Sequence, residues 1–196
     1  MRIFLIKNFN PGVWMTCFVI FFLPLLLYLG SWQISRGFEK KEIWEAYSVN
    51  KTFPPLAEKE LSVDKKEDLI YRSVVIKGSY INQSFLLDNR IYRSKKGYEI
   101  FTPFKSESQK LYLINRGWTN DDAGYPFAAP EGNLHIEGII SPFEKYGLNL
   151  SKLKVSESFP VVLQELTYSL ASDLLGKEVN IENLVIHLSA ASEGSL

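Results

Sequence analysis

The sequence predicts a mainly β domain, an antiparallel sheet or barrel with a minor helix, carried on an N-terminal transmembrane α-helix. Two observations lead to this class. No charged residue occurs between Asn8 and Ser35. After Asp68 the chain consists of short apolar or alternating runs separated by Gly, Asn and Pro, which is typical of antiparallel sheets and barrels. The charge composition bears on the partners: the balance of 22 basic and 22 acidic residues leaves no basic surplus and argues against a nucleic acid partner.

The first predicted element is a membrane helix. Residues 13–29 are apolar except for Thr16 and Pro24, and at ~1.5 Å per residue they cross most of a ~30 Å hydrocarbon core. The basic Arg2 and Lys7 would also suit a signal peptide, but the apolar run exceeds the usual ~7 to 15 residues. We therefore expect a tail at 1–12 and an anchor at 13–35, with the N-terminus inside and the domain outside.

A helical extension and linker are predicted at 36–68. Bulky residues recur at helical spacing among charges, which extends the helix over 36–47; they are Ile34, Phe38, Trp44 and Tyr47. Residues 51–68 are charged, contain Pro54 and Pro55, and show little periodicity, so they are predicted to be irregular. One β-rich extramembrane domain follows at 69–196.

Strands are expected at 70–80, 85–92, 98–104, 110–115, 133–140, 161–166 and 183–188. The segments 81–84 and 93–97 have hairpin length, so sequential strands are expected to be neighbours. A short helix is predicted at 167–175, with Thr167 as its N-cap and Gly176 as its stop.

Several chemistries are disfavoured by the residue inventory. Cys17 is the only cysteine and lies in the apolar run, which excludes intrachain disulfides and thiolate metal clusters. His135 and His187 both alternate out of phase with apolar neighbours, so both are expected on the polar faces of strands. The Asp121-Asp122 pair is interpreted as a solvated turn. We therefore expect a protein that is not an enzyme and has no metal site.

Four segments in register, at 29–36, 71–80, 89–104 and 115–118, resemble the Surfeit locus protein 1 family, and 159–166 resembles its later portion. The resemblance covers roughly residues 20 to 140. The candidate partner-binding or family-motif residues are Gly30, Trp32, Gln33, Arg36, Tyr71, Arg72, Asn89, Arg90, Gly97, Tyr98, Pro103, Asn115, Arg116, Gly117 and Trp118.

The resemblance implies a membrane protein that assists cytochrome c oxidase assembly, with the lipid bilayer and oxidase subunit I as partners. It also implies a bacterial or mitochondrial inner membrane location and a role in haem a insertion or stabilisation of subunit I. Family members have two membrane helices. No long apolar run follows Leu166, so we expect a single-pass chain that lacks the C-terminal helix. Residues 187–191 superficially resemble the family's haem-binding segment, but we expect a strand there and no tightly bound haem.

Each motif residue also has a plain structural interpretation. In Gly97-Tyr98 and Gly117-Trp118 the aromatic ring either fills the core or contacts a partner. If the Trp118 ring is core, its removal should cost ~3 to 5 kcal/mol.

The arginines have similar alternatives. Arg90 and Arg116 either bind a haem propionate or a partner carboxylate, or satisfy turn carbonyls or an internal acid such as Asp88. Trp32 and Arg36 suit either a membrane interface or contact with a second membrane helix. The function expected is binding without chemistry, the alternative being a generic membrane-tethered periplasmic binding or structural module.

Overall fold

In a computed structural model, the chain divides into two compact units, Met1–Ala46 and Tyr47–Leu196. The structure describes residues 11–62, 66–120, 128–143, 146–147, 158–176 and 179–196. The Asp121-Asp122 pair predicted to form a turn lies outside these residues.

Helix α1, Val13–Asn50, contains 38 residues and continues three residues past the predicted end of the helical extension. Its apolar half presents exposed side chains all round, among them Trp14 at 90% and Phe21 at 68%. Its C-terminal half is polar and carries Lys41 paired with Glu45. Within the described part of the chain, α1 alone is long and apolar enough to cross a membrane.

The second unit contains ten short or medium strands and one α-helix among its described residues. The strands are β1 (Leu56–Ala57), β2 (Ser73–Tyr80), β3 (Phe85–Tyr92), β4 (Lys95–Ser106), β5 (Leu111–Asn120), β6 (Leu134–Pro142), β7 (Tyr146–Gly147), β8 (Val161–Leu163), β9 (Glu165–Leu166) and β10 (Ile181–Leu188). Helix α2 is Tyr168–Leu175, and 3-10 helices occupy Glu58–Ser62 and Lys66–Leu69. The segment predicted to be irregular therefore contains β1, the first 3-10 helix and all but the last residue of the second.

Five strands close into a barrel in the order β2, β6, β10, β5, β4 and back to β2. Strands β3 and β8 extend the sheet outward from β4. The mainly β, barrel-like class with a minor helix is thereby confirmed. The sheet is not wholly antiparallel, because β1 and β2, β3 and β8, and β5 and β10 pair in parallel.

The expectation that sequential strands are neighbours holds for β3, β4 and β5. It is wrong for β2 and β3, since β2 pairs with β4 and β6 in the described sheet. It is also wrong for β5 and β6, because β10 lies between them. Closing the barrel requires β2 to meet β4, so segment 81–84 crosses over instead of forming a hairpin. The turn between β3 and β4 shortens to Arg93 and Ser94, whose φ values of 48° and 63° suit a two-residue hairpin turn.

The two larger hydrophobic cores lie on opposite faces of the shared strands. The first receives side chains from all five barrel strands, for example Ile76, Phe104, Ile114, Ile136 and Ile186. The second packs β3 and β8 with α2 against the other face of β4, β5 and β10. Strands β5 and β10 are therefore covered on both sides, which accounts for their continuous apolar runs.

Helix α2 begins and ends as the sequence predicts. The Thr167 hydroxyl accepts a hydrogen bond from the Leu170 amide at 3.3 Å, and Gly176 is the C-cap with φ of 105°. These two predictions are confirmed, because capping depends on local chemistry alone.

Candidate functional site

A bulge in β3 sets the direction of Arg90. The pairing with β4 shifts between Leu87 and Arg90, and Asn89 adopts a positive φ of 60°. The Asn89 amide donates to the Asp88 carboxylate at 2.7 Å, which stabilises this conformation. Bulges re-aim side chains at sheet edges, and here Arg90 turns toward Glu99 on β4.

A second bulge interrupts β5 in the Asn115-Arg116-Gly117-Trp118 motif. Phe101 pairs with Asn115 while the adjacent Ile100 pairs with Gly117, so Arg116 is the extra residue. Gly117 has φ of +115°, and a Cβ there would lie 2.8 Å from the Leu196 carbonyl oxygen. Both the backbone conformation and the close approach require glycine at this position.

The two bulges bring five polar side chains into a polar network of Arg90, Glu99, Asn115, His187 and Tyr146. The Arg90 Nε atom contacts one Glu99 oxygen at 2.6 Å, and the Asn115 amide nitrogen donates to the other at 2.7 Å. The same amide nitrogen lies 3.1 Å from His187 Nδ1. The Tyr146 hydroxyl lies 3.5 Å from His187 Nε2. Two charged groups and a histidine are thus linked through Asn115.

This arrangement sets the state of the His187 ring. The Asn115 oxygen accepts from the Gly117 amide at 3.0 Å, which directs the amide nitrogen toward His187. An amide nitrogen only donates, so Nδ1 accepts and the neutral ring carries its proton on Nε2. Burial, as the main cause, lowers the pKa of His187; the Glu99 carboxylate raises it and Arg90 lowers it further.

The sequence prediction for the histidines is half right. His135 is exposed on β6, as predicted. His187 is half-buried and bonded to Asn115, so its assignment to a polar surface is wrong. The alternation along β10 correctly predicts that His187 and Ile186 lie on opposite faces of the strand. The face that carries His187 is covered by other parts of the domain, including Tyr146.

The Trp118 indole lies across Gly97. A Cβ on Gly97 would meet the indole at 2.7 Å and the Thr119 carbonyl oxygen at 2.0 Å. The Trp118 ring is half-buried and lies 5.5 Å from the Tyr92 ring. The first alternative for this residue, a ring that fills the core, is therefore wrong, because the indole rests on the outer surface of the sheet.

A groove of about 380 Å³ opens beside the polar network. It is lined by Asn89, Arg90, Ile91, Tyr92, Glu99 and Trp118. The Arg90 side chain is 38% exposed, against 17% for Glu99. The groove therefore combines an accessible guanidinium with the edges of two aromatic rings, a combination that suits a planar or carboxylate-bearing partner.

Arg116 faces another set of groups. Its Nε donates to the Gly194 carbonyl at 2.8 Å, and an Nη atom donates to the Ala128 carbonyl at 3.4 Å. The guanidinium also lies 5.6 Å from the Tyr80 ring centre. Arg116 is only 3% exposed, and burial lowers the pKa of its guanidinium. Its interpretation as a ligand for backbone carbonyls is the one that the structure supports.

The two arginines therefore differ. Arg90 pairs with Glu99, and the acid suggested from the sequence, Asp88, contacts Lys96 at 3.4 Å instead. Arg90 belongs to the polar network and the groove, whereas Arg116 holds the segment 189–196.

The remaining motif residues of the second unit make contacts within that unit. Arg72 donates to the Pro54 carbonyl at 3.2 Å and lies 4.7 Å from the Phe53 ring, while the Tyr71 ring lies 6.3 Å from that of Tyr47. These contacts fasten 47–54 to the start of β2.

The other two, Pro103 and Tyr98, both lie in β4. Pro103 is buried there opposite Leu113. Tyr98 packs against Leu86 and Ile100. Both therefore contribute to the packing of the sheet.

The first motif segment lies on α1. Trp32 is 54% exposed, and Arg36 pairs with Glu39 at 2.5 Å. Gly30 and Gln33 complete the segment, and a Cβ on Gly30 would meet nothing within 4 Å.

Three members of the polar network were absent from the sequence-based candidates. Glu99 and Tyr146 carry no signal in a single sequence, since each is one polar or aromatic residue in an ordinary run. For His187, the alternation along the strand predicts an exposed face. Among the described residues, no group of three or more His, Cys, Asp or Glu side chains is placed to hold a metal ion.

Comparison with known proteins gives a consistent result. The model of the SURF1 family matches residues 20–192. Cytochrome oxidase assembly protein SHY1 of Saccharomyces cerevisiae is 32% identical over 122 residues, which cover 60% of this chain and 30% of the yeast protein. The SURF1-like protein of Rickettsia conorii is 31% identical over 189 residues, 90% of this chain and 77% of that protein.

The SURF1-like protein of Rickettsia prowazekii is 30% identical over 167 residues, 83% of this chain and 65% of that protein. The matches thus span less than a third of the yeast relative and between about two thirds and three quarters of these two bacterial relatives. The matched region includes all four motif segments. This chain belongs to the SURF1 family.

Proposed function

We propose that this protein is a membrane-anchored assembly factor for cytochrome c oxidase. Its family and the name of its yeast relative support an oxidase assembly role. One structural observation carries the proposal further: residues 89–90 and 97 belong to one motif segment and 115–118 to another, yet they meet around one polar network and one groove.

The finer part of the proposal is that the groove assists haem a insertion or stabilises oxidase subunit I. The half-exposed Arg90 guanidinium supplies charge for a haem propionate or a subunit carboxylate. Tyr92 and Trp118 supply flat aromatic edges beside it. A cation next to aromatic rings recognises a planar acidic group better than either feature alone.

Haem a enters this proposal as cargo and not as a tightly bound cofactor. His187 is the histidine nearest to the groove residues through the network, but Asn115 and Tyr146 contact its two ring nitrogens. Axial ligation would require one of these contacts to break. The proposed mode is therefore weak, reversible holding, without a reaction catalysed by this chain.

The proposed location is a bacterial or mitochondrial inner membrane, with the β domain on the periplasmic or intermembrane-space side. Support comes from the apolar helix α1 and the basic residues before it. Protease added to spheroplasts should digest the β domain. Full protection in intact spheroplasts, with digestion after lysis, would contradict the orientation.

The assembly role is tested by complementation. The full chain is expressed in a bacterial strain that lacks its own SURF1-family protein, and oxidase activity and haem a absorbance are measured in membranes. We expect the full chain to raise both. Membrane-inserted chain at normal abundance that raises neither would argue for the generic tethered module.

The groove is tested in the same strain with Arg90→Gln and Trp118→Phe, against Lys77→Gln, an exposed cation on β2. We expect the groove variants to lower activity at equal protein abundance, and the control to match the parent. Equal activity of all variants would remove the groove from the proposal while leaving the assembly role intact.

Photo-crosslinking distinguishes binding of subunit I from binding of haem a. A photo-crosslinking amino acid at Trp118, a groove residue outside the turn of β3 and β4, should give an adduct with oxidase subunit I if the groove holds the subunit. Adduct formation only in cells that synthesise haem a would favour recognition of the haem-loaded subunit. No adduct with subunit I in either cell type would contradict the subunit part of the proposal.

A further inference from the structure

The hairpin formed by β3 and β4 ends in six consecutive exposed residues, which we call the basic hairpin tip. They are Ile91, Tyr92, Arg93, Ser94, Lys95 and Lys96. Ile91 is 76% exposed and Tyr92 51%. Three of the six are cations and none is acidic. The tip thus combines a large aliphatic side chain, an aromatic side chain and positive charge within six residues.

The shape of the tip is fixed by the hairpin. Tyr92 pairs with Lys95 and Ile91 with Lys96, so the turn itself is Arg93-Ser94. The Arg93 guanidinium lies 5.2 Å from the Tyr92 ring centre. The hairpin holds the apolar side chains beside this turn in water, which costs free energy. Transfer of these side chains to an apolar environment would remove that cost.

The charge of the tip is only partly compensated. The Lys96 ammonium lies 3.4 Å from the Asp88 carboxylate, yet its side chain remains 56% exposed. The other acid near the base of the hairpin, Glu99, pairs with Arg90. The tip therefore presents net positive charge around Ile91 and Tyr92.

We propose that the basic hairpin tip inserts into the headgroup region of an anionic lipid bilayer. Tyrosine is favoured at this depth, the isoleucine reaches the first acyl carbons, and the cations meet lipid phosphates. The chain carries its own candidate membrane span, which keeps a bilayer at high effective concentration around the domain. An acidic protein surface would bind the cations but would leave Ile91 without an apolar environment.

The test uses the full chain in lipid nanodiscs, which leave both bilayer faces accessible. Ser94→Cys is introduced together with Cys17→Ala, and the single thiol carries an environment-sensitive fluorophore. The control label is at Gln109→Cys, in the exposed turn at the opposite end of β4. Nanodiscs contain phosphatidylcholine alone or with phosphatidylglycerol, and quenching is measured with shallow spin-labelled lipid and with aqueous iodide.

We expect the label at position 94 to be quenched by spin-labelled lipid and shielded from iodide in phosphatidylglycerol nanodiscs only. The label at 109 should stay accessible to iodide in both. Each cation close to an anionic surface strengthens binding by about fivefold. Lys95→Glu with Lys96→Glu should thus lower the ratio of inserted to free tip by about 25-fold or more, whereas Lys105→Glu should leave it unchanged.

Tyr92→Ser tests the apolar contribution without changing charge, and near-UV circular dichroism checks that each variant is folded. Equal iodide access at position 94 in neutral and anionic nanodiscs would overturn the proposal. So would shielding that occurs only when purified oxidase is added, which would make the tip a protein-docking surface.

Discussion

The Nε1 atom of Trp118 on β5 donates a hydrogen bond to the carbonyl oxygen of Arg90 on β3, at 2.9 Å. Strand β4 lies between these two strands, so the indole crosses over it. The crossing is possible because Gly97 has no side chain at the point where the ring passes. Two motif segments on non-adjacent strands are therefore joined by a single side chain above a glycine.

Gly97→Ala should destabilise the β domain by about 3 kcal/mol, since a methyl group there meets the Trp118 ring and a backbone oxygen. Urea unfolding followed by near-UV circular dichroism measures the change. Gly37→Ala is the matched control: a Cβ there meets nothing within 4 Å, and unfolding of the β domain should not change. Equal stability of both variants would show that the indole does not lie over Gly97.

Trp118→Ala should cost about 1 to 3 kcal/mol, less than removal of a core aromatic, because the ring is half-buried. Trp118→Phe retains much of the packing over Gly97 but lacks the donor to Arg90, so about 1 kcal/mol is expected. Denaturant midpoints of the two variants give the comparison. A loss of 4 kcal/mol or more for Trp118→Ala would place the ring in the core.

Stability should fall as the pH drops below about 6.5, the ordinary pKa of histidine. Burial lowers the pKa of His187 in the folded protein, so below that pH the unfolded chain binds a proton that the folded chain does not. The free energy of unfolding then falls by up to about 1.4 kcal/mol per pH unit from this group.

His187→Asn should reduce that slope between pH 6.5 and the folded pKa, while His135→Gln, at an exposed position, serves as the control for loss of a histidine. Thermal or urea unfolding at several pH values measures both. An unchanged slope in His187→Asn would mean that burial does not keep the His187 ring neutral in the folded protein.

Arg116→Met should release the segment 189–196 and cost about 2 kcal/mol, because the Gly194 carbonyl loses a charged donor. Hydrogen exchange should then increase at Leu196, whose amide donates to the Arg116 carbonyl at 2.8 Å. Arg93→Met, at the exposed hairpin turn, should leave exchange in this segment unchanged. Protection of Leu196 in the Arg116 variant would show that the guanidinium does not anchor the segment.

Local chemistry made several elements predictable. The apolar run of α1, the alternation in β6 and the caps of α2 each depend on residues close together in the chain. The four motif segments identified the family, and two of them, 89–104 and 115–118, contribute to the candidate site. The roles of the individual motif residues could not be predicted, because a motif identifies residues without identifying their contacts.

The sequence by itself determined the β class, the apolar helix and the residues Arg90, Asn115 and Trp118 as candidates. Tertiary structure alone decided that Arg90 meets Glu99, that Arg116 binds backbone carbonyls and that His187 joins the network. The physical reason is register. Closure of the barrel brings β2 to β4 and β10 to β5, and two bulges reset which side chains face each other. These contacts join residues up to 78 positions apart, beyond the reach of any local pattern.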